Sequence, residues 1–331
     1  MNNKSRTGLA ALLLACAPGA FASPCAMETQ NASTISTAST SPMRLVDIIN
    51  TVRQSSPAIR IAALERLAAQ ANAAQAERWA NPSMGFEIED FGGTRSLGGL
   101  DQSEQTLAYS QPFELGGKRT KRIDAANARS ALATANCDLI QRETELQASL
   151  GYVELSTAQA LHHLALESLD LAKQLQDKAA RRVDAGAAAP PELSRARSDR
   201  ARLEAQAIGL EAQIERERAN LAQFWGGRTV ILAEETSSFL SVSDSPQPPL
   251  KTIHPTVLQA QAMVKAAEAD ARYERSNSAP DLDLTLGVKH FEATDEQALI
   301  AGVAITLPLF DRNQDNARAS DYRAQGARIR R

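Results

Sequence analysis

The sequence predicts a mainly α-helical chain with a small β part, in which long antiparallel coiled-coil helices carry two β-hairpins. Three observations support this fold class. Alanine, leucine, glutamine, glutamate and arginine dominate the middle of the 331-residue chain and aromatic residues make up only 4% of it, a composition typical of long helices. The segment from Lys118 to about Val183 contains no proline. A helix–strand–strand–helix pattern also occurs twice, which indicates an internal duplication.

The first residues predict an exported protein. A positively charged start precedes the apolar run Leu9–Ala15, and Ala20-Phe21-Ala22 provides the cleavage site of a signal peptide that covers residues 1–22. Lipoprotein processing, with a lipid anchor at Cys16, is the alternative, because the residues that lead to this cysteine are similar to a lipobox. Residues 23–42 are rich in Ser, Thr and Ala, and they predict a flexible mature N-terminus.

The first repeat covers residues 43–250 and begins with a helical pattern over 43–80. Pro57 predicts a kink within this helix, because proline removes a backbone donor and clashes with the preceding turn. Asn81-Pro82 predicts the end of the helix, since the residue before a proline avoids the α conformation.

The period then changes to two residues, which predicts a β-hairpin over residues 83–112. Glycines between the two strands supply the turn, and Pro112 predicts the end of the second strand. The large apolar residues of both strands alternate with polar or small ones: Met84, Phe86, Ile88, Leu107 and Tyr109.

A helical hairpin over residues 118–225 follows, with a tip at 184–191. As a helix, its first half would be about 100 Å long. Apolar residues at steps of three and four predict the coiled-coil seam between the two helices, although an isolated structural coiled coil explains this hairpin equally well. The seam residues are Leu139, Leu146, Leu150 and Val153 in the first helix, and Leu193, Ala196, Leu203, Ala207, Leu210, Ile214, Leu221 and Phe224, with Arg200 and Glu217 between them, in the second.

After an irregular linker at 226–250, residues 251–331 repeat the pattern with a helix, a β-hairpin over 281–308 and the start of another helix. A complete second repeat needs a second long helical hairpin after Arg312, so we expect this repeat to be incomplete and the chain to be cut short within it. Three prolines recur at matching positions of the two repeats: Pro57 with Pro255, Pro82 with Pro280, and Pro112 with Pro308.

The four predicted strands are long enough to cross a membrane at a tilt. In isolation, their alternation fits a soluble sheet with one side packed on a core equally well. Export and the very long flanking helices favour the membrane. Four strands cannot close a barrel alone, because open edges in lipid leave backbone groups unpaired. Three copies would supply twelve strands, which lies within the range of such barrels.

Several motifs resemble those of the TolC-like outer-membrane efflux protein family, over about residues 43–331. Ser56-Pro57 and His254-Pro255 open the two repeats, and Asn81-Pro82 and Ala279-Pro280 precede the hairpins. The Glu-Leu-Gly-Gly-Lys-Arg sequence is most similar to the heavy-metal cation branch of the family, of the cobalt-zinc-cadmium type. The more specific motifs follow the hairpins: Gln111-Pro112-Phe113-Glu114-Leu115-Gly116-Gly117-Lys118-Arg119 and Leu307-Pro308-Leu309-Phe310-Asp311-Arg312-Asn313-Gln314.

The resemblance implies a homotrimer with a twelve-stranded transmembrane β-barrel in the cell outer membrane and a long helical tunnel in the periplasm. It implies a passive exit channel of a tripartite efflux system, joined through a periplasmic adaptor protein to an inner-membrane resistance-nodulation-division pump, with heavy-metal cations as substrates. The small residues of the tip would contact the adaptor: Ala185, Gly186, Ala187 and Ala188. The exit duct of a type I secretion system, a periplasmic coiled-coil scaffold and a non-functional fragment are the alternatives.

The residues themselves predict no enzyme, no cofactor and no metal site. A net charge of -3 provides no basic surface for nucleic acid. His162-His163 would point about 100° apart on a helix and have no Cys or Asp partner. Three cysteines without a CxxC pair exclude a zinc finger and a disulfide scaffold, so Cys137 is expected to be a small packing residue. The remaining candidates are carboxylates on the polar sides of the strands, where a ring of them would favour cations: Glu87, Glu89, Asp281 and Asp283.

Overall fold

The computed structural model describes Cys25 and residues 43–95, 99–227, 231 and 253–330. The predicted signal peptide, the lipidation site at Cys16, most of the predicted flexible N-terminus and most of the linker at 226–250 lie outside the described residues. The described elements are α1 (Leu45–Ser55), α2 (Pro57–Ala76), β1 (Ser83–Glu89), β2 (Glu104–Glu114), α3 (Lys118–Asp184), α4 (Pro190–Ala222), α5 (Pro255–Ser276), β3 (Asp281–Phe291), β4 (Glu296–Ile305) and α6 (Gln314–Arg330).

The first helical segment is broken in two at Ser56, where the sequence predicted only a kink. Ser56 has extended backbone angles, with φ -64° and ψ 124°, and Pro57 is the first residue of α2. The proline ring disfavours the α conformation for the residue before it, and at the first helical position the missing backbone donor costs nothing. Pro255 opens α5 in the same way.

The four strands form one antiparallel sheet in the order β1-β2-β3-β4. Each predicted hairpin is present, and β2 pairs with β3 from Glu104↔Phe291 to Glu114↔Asp281, which joins the two repeats. Pro112 lies inside β2, so the prediction that it ends the strand was wrong. Proline is tolerated here because the pairing of β1 with β2 ends at Ser83↔Ser110. Beyond Ser110, β2 has a neighbouring strand on one side only, so the missing backbone donor of Pro112 can face the open edge.

The helical hairpin has the predicted length, with 67 residues in α3. The seam of α4 is confirmed, because every one of its predicted positions is buried or half-buried. In the seam predicted for α3, Leu139 is half-buried. The prediction was wrong for Leu146, Leu150 and Val153, which are 57%, 48% and 41% exposed. The packed face of α3 lies about two residues further along, and it mixes alanines, which let the helix backbones approach closely, with a few large and polar residues. The buried residues of α3 include Cys137, Gln141, Glu145, Ala148, Tyr152, Leu155, Ala158, Ala165, Leu169, Ala172 and Ala179.

The core of the described chain lies where α1, α3 and α4 meet. Ile48 and Val52 of α1, Leu155 of α3 and Leu221 of α4 are each fully buried there. Gly151 allows the close approach, since a Cβ at this position would lie 3.3 Å from Leu221 Cδ1. The cluster therefore fixes α1 and the base of the helical hairpin against each other.

Cys25 and Cys137 form a disulfide, with a Cα–Cα distance of 6.0 Å. The expectation that Cys137 is only a packing residue, and that the chain carries no disulfide framework, was therefore wrong. Both cysteines are buried beside Ala62 and Ala63 of α2. The two cysteines are 112 residues apart in the chain. Because no local spacing links them, the sequence alone does not indicate that they are partners.

The fold class is thus as predicted, mainly helical with a small antiparallel sheet. The duplication also extends to the turns that lead from each hairpin into the next helix. Gly117 and Asn313 both have a left-handed backbone, with φ 72° and 57°, and their carbonyls accept from the amides of Lys121 and Ala317 at 3.0 Å. Glycine and asparagine are the residues that adopt this conformation most readily.

Candidate functional site

The sheet has two chemically different faces across all four strands. Because directly opposed residues of antiparallel strands share a face, the register divides the side chains into two sets. The apolar face is formed by Met84, Phe86, Ile88, Leu107, Tyr109, Phe113, Leu282, Leu284, Leu286, Val288, Leu299, Ala301, Val303 and Ile305, together with Gln105, Gln111, His290 and Gln297.

The apolar face is not covered by any helix of the described chain. Leu299 is 89% exposed, Met84 73%, Val303 66% and Leu286 65%. At the loop end of the strands this face changes character, because one row contains Gln105, His290 and Gln297 side by side. The apolar rows therefore form a band with a polar boundary at that end.

All four predicted carboxylates lie on the opposite, polar face. The register places Glu87 beside Thr106, Glu89 beside Glu104, Asp281 beside Glu114 and Asp283 beside Pro112. The structure adds acidic residues on the same face that the sequence reasoning had not singled out: Glu104, Glu114 and Glu296. The two-residue period of their own strands was the signal that could have identified them, since Glu104 and Glu114 alternate in phase with Thr106 in β2 and Glu296 with Ala298 in β4.

Two of the predicted carboxylates are paired with lysines. Lys289 contacts both Glu89, at 2.8 Å, and Glu104, so it bridges three adjacent strands. Lys118 donates to Asp281 at 2.8 Å, and its side chain is only 10% exposed. Among the described residues, Glu87 and Asp283 have no salt-bridge partner. The polar face therefore keeps an excess of negative charge after these pairs are formed.

The foot of the sheet, where β2 turns into α3, depends on two glycines. Gly116 has φ +68°, and a Cβ there would lie 2.4 Å from the Ala279 side chain. Gly117 follows with φ +72° and directly precedes α3. The Gly-Gly motif is thus required both by the left-handed backbone and by the close approach of the second repeat.

The predicted adaptor tip is an exposed turn between α3 and α4. Ala185, Gly186 and Ala187 are exposed, and Gly186 has φ +68°. Arg182 and Glu192 form a salt bridge of 3.0 Å across the base of the turn. The tip therefore presents backbone and methyl groups, which let a partner approach closely.

A buried polar cluster holds α1 on α3. Arg53 donates to both carboxylate oxygens of Glu145, at 2.6 and 3.1 Å, and Gln141 donates to Glu145 Oε1 at 2.8 Å. Burial raises the pKa of the Glu145 carboxyl, but the hydrogen bonds from Arg53 and Gln141 and the charges of Arg53 and Arg142 lower it by more. The pKa of Glu145 therefore lies below its usual range.

Neither His163 nor His290 belongs to a group of metal-binding side chains among the described residues. His163 lies 3.5 Å from Glu167 on an exposed stretch of α3, and His290 lies 3.4 Å from Glu292 at the loop end of β3. Within the described ranges, no group of three or more His, Cys, Asp or Glu side chains is arranged to hold a metal ion. None of the helices described is both long and apolar enough to span a membrane.

Long paired helices that carry a sheet with one apolar, uncovered face and one acidic face define a TolC-like fold. The family model of the outer membrane efflux protein matches residues 48–227. The chain therefore belongs to the outer membrane efflux protein family, and it is a protein of the outer membrane rather than a member of an enzyme family. The predicted resemblance is confirmed.

The curated relatives of the chain include proteins named for heavy-metal resistance. The chain is 32% identical over 240 residues to the cobalt-zinc-cadmium resistance protein CzcC of Cupriavidus metallidurans, covering 71% of this chain and 56% of that protein. It is 29% identical over 276 residues to the nickel-cobalt-cadmium resistance protein NccC of Alcaligenes xylosoxydans xylosoxydans, covering 83% and 63%. The chain thus spans less than two thirds of the length of these two relatives.

A solved structure shows the same fold. The crystal structure of CusC, described in terms of folding and transmembrane channel formation, matches with a TM-score of 0.71 and 16% sequence identity. The match covers 86% of this chain and 71% of that chain.

Proposed function

We propose that this chain is the outer-membrane channel component of a tripartite efflux system and that it conducts heavy-metal cations passively out of the cell. It carries out no bond chemistry and needs no cofactor. The observation that carries the proposal is the apolar face of the sheet, which remains uncovered.

A soluble sheet would pack its apolar face on a core, as antiparallel sheets of soluble proteins do. Here the long helices lie beyond the end of the sheet, and residues such as Leu299 and Met84 stay exposed. The apolar rows run along β3 from Leu282 to Val288, a distance of about 20 Å at the rise of a strand. β3 and β4 contain 11 and 10 residues, which is the length at which a tilted strand crosses a bilayer, so lipid is the natural cover.

Two features support assembly with further copies. The sheet ends in two open edges, β1 and β4, and in lipid each edge needs a partner strand; three copies joined edge to edge would close a twelve-stranded barrel. The leucines wrongly predicted for the α3 seam are part of a second apolar stripe that faces away from α4. This stripe runs along nearly half of the 67-residue helix and contains Leu146, Leu150, Val153, Leu161, Leu164, Leu171 and Leu175. A homotrimer would cover it.

The polar face then becomes the wall of the lumen, and its acidic excess favours cations. Glu87 and Asp283 supply free carboxylates, whereas Lys289 partly neutralises the wall between Glu89 and Glu104. The names of CzcC and NccC associate those relatives with cobalt, zinc, nickel and cadmium. Divalent cations of this kind are the cargo we propose here.

The tip formed by Ala185, Gly186, Ala187 and Ala188 is the proposed contact with the periplasmic adaptor, through which an inner-membrane pump of the resistance-nodulation-division type would deliver the cargo. Ala187→Trp should abolish cross-linking of the tip to the adaptor, because the indole blocks the close approach of a helical hairpin. Lys173→Trp, at an exposed position of α3 outside the apolar stripe, is the matched control. Equal cross-linking by both variants would contradict the tip assignment.

The channel proposal is tested by conductance. The chain, reconstituted in planar bilayers under a salt gradient, should give steady conductance with a reversal potential on the cation-selective side. Lys289→Gln should increase the cation preference because it removes a positive charge from the lumen wall, and Lys289→Arg should leave it unchanged. Absence of conductance, or anion preference in the unmodified protein, would overturn the proposal.

A further inference from the structure

We propose that Trp79, Phe113 and Arg119 form a contact site for phospholipid headgroups at the foot of the sheet, where strands give way to helices. These three residues are called the headgroup cluster below. The inference rests on the proposed membrane position of the apolar face, and it adds the level at which the membrane surface meets the protein.

Trp79 lies at the end of the apolar face. It is located between α2 and β1 and is 61% exposed. Its ring packs edge-on against Phe113, the apolar-face residue nearest the foot of β2, with 6.4 Å between ring centroids and an interplanar angle of 75°. Tryptophan concentrates at the boundary between lipid and water because one part of its ring system is apolar and its N–H is polar.

Arg119 adds a fixed positive charge to this aromatic pair. Its guanidinium carbon lies 4.8 Å from the centroid of the Trp79 ring, and its Nη2 donates to the Glu77 carbonyl at 2.6 Å. Among the described residues, no carboxylate lies within salt-bridge distance of Arg119. Its Nε is buried without a hydrogen-bond partner, so the donors it can offer to a ligand are those at the Nη end of the guanidinium. A positioned guanidinium with unused donors is suited to a phosphate group, which accepts hydrogen bonds from it in a planar, paired geometry.

Arg122, on the same helix, is by contrast already engaged. Arg122 is neutralised by Glu114 and donates to the carbonyls of Ala76 and Arg78. It therefore belongs to the framework that joins α2, β2 and α3. Arg119 lies three residues earlier on the same helix, and its charge has no such partner.

There is also open space on one side of Trp79, which is the member of the headgroup cluster that lines it. A groove of about 650 Å³ opens next to Trp79, lined by Arg78, Arg122, Tyr273 and several alanines of α2 and α3. Phospholipid is the occupant favoured over a free anion, because the aromatic part of the cluster continues the exposed apolar face without a gap. Acyl chains would cover that face while the phosphate reaches Arg119.

The depth of Trp79 in a bilayer tests the proposal. Trp225→Phe leaves Trp79 as the single tryptophan, and this variant is reconstituted into vesicles whose lipids carry bromine either near the headgroup or near the chain end. Bromine near the headgroup should quench Trp79 about twice as strongly as bromine at the chain end, as expected for an interfacial ring. A second protein, Phe86→Trp with Trp79→Phe and Trp225→Phe, places a tryptophan on the middle of the apolar face and should show the opposite order.

The two proteins distinguish the failures. Deep quenching at position 86 without quenching of Trp79 would overturn the headgroup cluster and leave the channel proposal standing. Absence of quenching in both proteins would overturn both proposals.

The phosphate contact is tested separately from depth. Arg119→Gln in the single-tryptophan protein should reduce the preference of Trp79 for quenching by bromine near the headgroup. The single-tryptophan protein with Arg119 intact should show the same reduction in vesicles of phosphate-free galactolipid. Arg318→Gln, at an exposed site on α6, is the control and should behave like the parent. If Arg119→Gln and the galactolipid vesicles both leave the preference unchanged, phosphate recognition by Arg119 is refuted.

Discussion

The Arg53–Glu145 pair allows the attachment of α1 to α3 to be measured. The Glu145 side chain is 10% exposed and receives two hydrogen bonds from Arg53. Removal of one member of a buried ion pair costs about 3–5 kcal/mol, whereas an exposed pair contributes about 0–1 kcal/mol. Because the Arg53 side chain is itself 44% exposed, we expect Arg53→Met to lower the free energy of unfolding by about 2 kcal/mol, between these limits.

Guanidinium chloride unfolding of the detergent-solubilised protein, followed by far-ultraviolet circular dichroism, measures this loss. The matched control is Arg318→Met, whose partner Asp315 is 81% exposed; its effect should stay within about 0.5 kcal/mol. If Arg53→Met costs no more than the control, the pair does not hold α1 in the way the structure indicates.

The same pair predicts a pH dependence. The folded-state pKa of Glu145 is lowered, so its ionised form contributes stability that is fully present above the unfolded pKa of about 4.3. This contribution is lost as the pH falls through the folded pKa. The parent protein should therefore exceed Glu145→Gln in stability at neutral pH, and the difference should shrink below about pH 4. A difference that is constant down to acidic pH would contradict this assignment.

Two further predictions concern covalent and steric features of the fold. Cys137→Ala should lower the free energy of unfolding by about 4 kcal/mol, since the disulfide closes a long loop; adding reductant to the parent protein should have the same effect, and unchanged unfolding curves with reductant would refute it. Gly116→Ala should cost about 1–3 kcal/mol, because of its left-handed backbone and its contact with Ala279. Gly85→Ala, where the added methyl group meets open space, should change stability by less than about 0.5 kcal/mol. Equal melting temperatures of the Gly116→Ala and Gly85→Ala proteins would argue against the close approach of Gly116 to Ala279.

The two faces of the sheet could be predicted from the sequence because the strand period is a local property. Leu284 and Leu286 alternate with Asp283 and Thr285 in the chain itself, so the assignment to opposite faces needed no tertiary information. The helix lengths followed from proline spacing in the same way. The positions of Pro57 and Pro255 likewise indicated the duplication.

The features that the sequence did not predict depend on partners that lie far away in the chain. The α3 seam was placed on Leu146 and Leu150, because size was taken as the sign of burial. The structure buries Ala148 and Tyr152 instead, since the face of α3 that packs on α1 and α4 lies two residues further along the helix. Cys25 meets Cys137, and Lys118 meets Asp281 across the two repeats. Whether β2 could continue through Pro112 depended on how far the neighbouring strand β1 extends.

The most direct test of the account places one charge on each face of the same strand. Leu286 is 65% exposed in the middle of the apolar face, and Thr285 is its neighbour on the polar face. Leu286→Arg should prevent recovery of the protein in carbonate-resistant outer membranes, because arginine at the membrane midplane costs about 2–4 kcal/mol in each copy. Thr285→Arg should be recovered there like the parent. Recovery of both variants, or a soluble periplasmic parent protein, would contradict the claim that the uncovered apolar face lies in lipid.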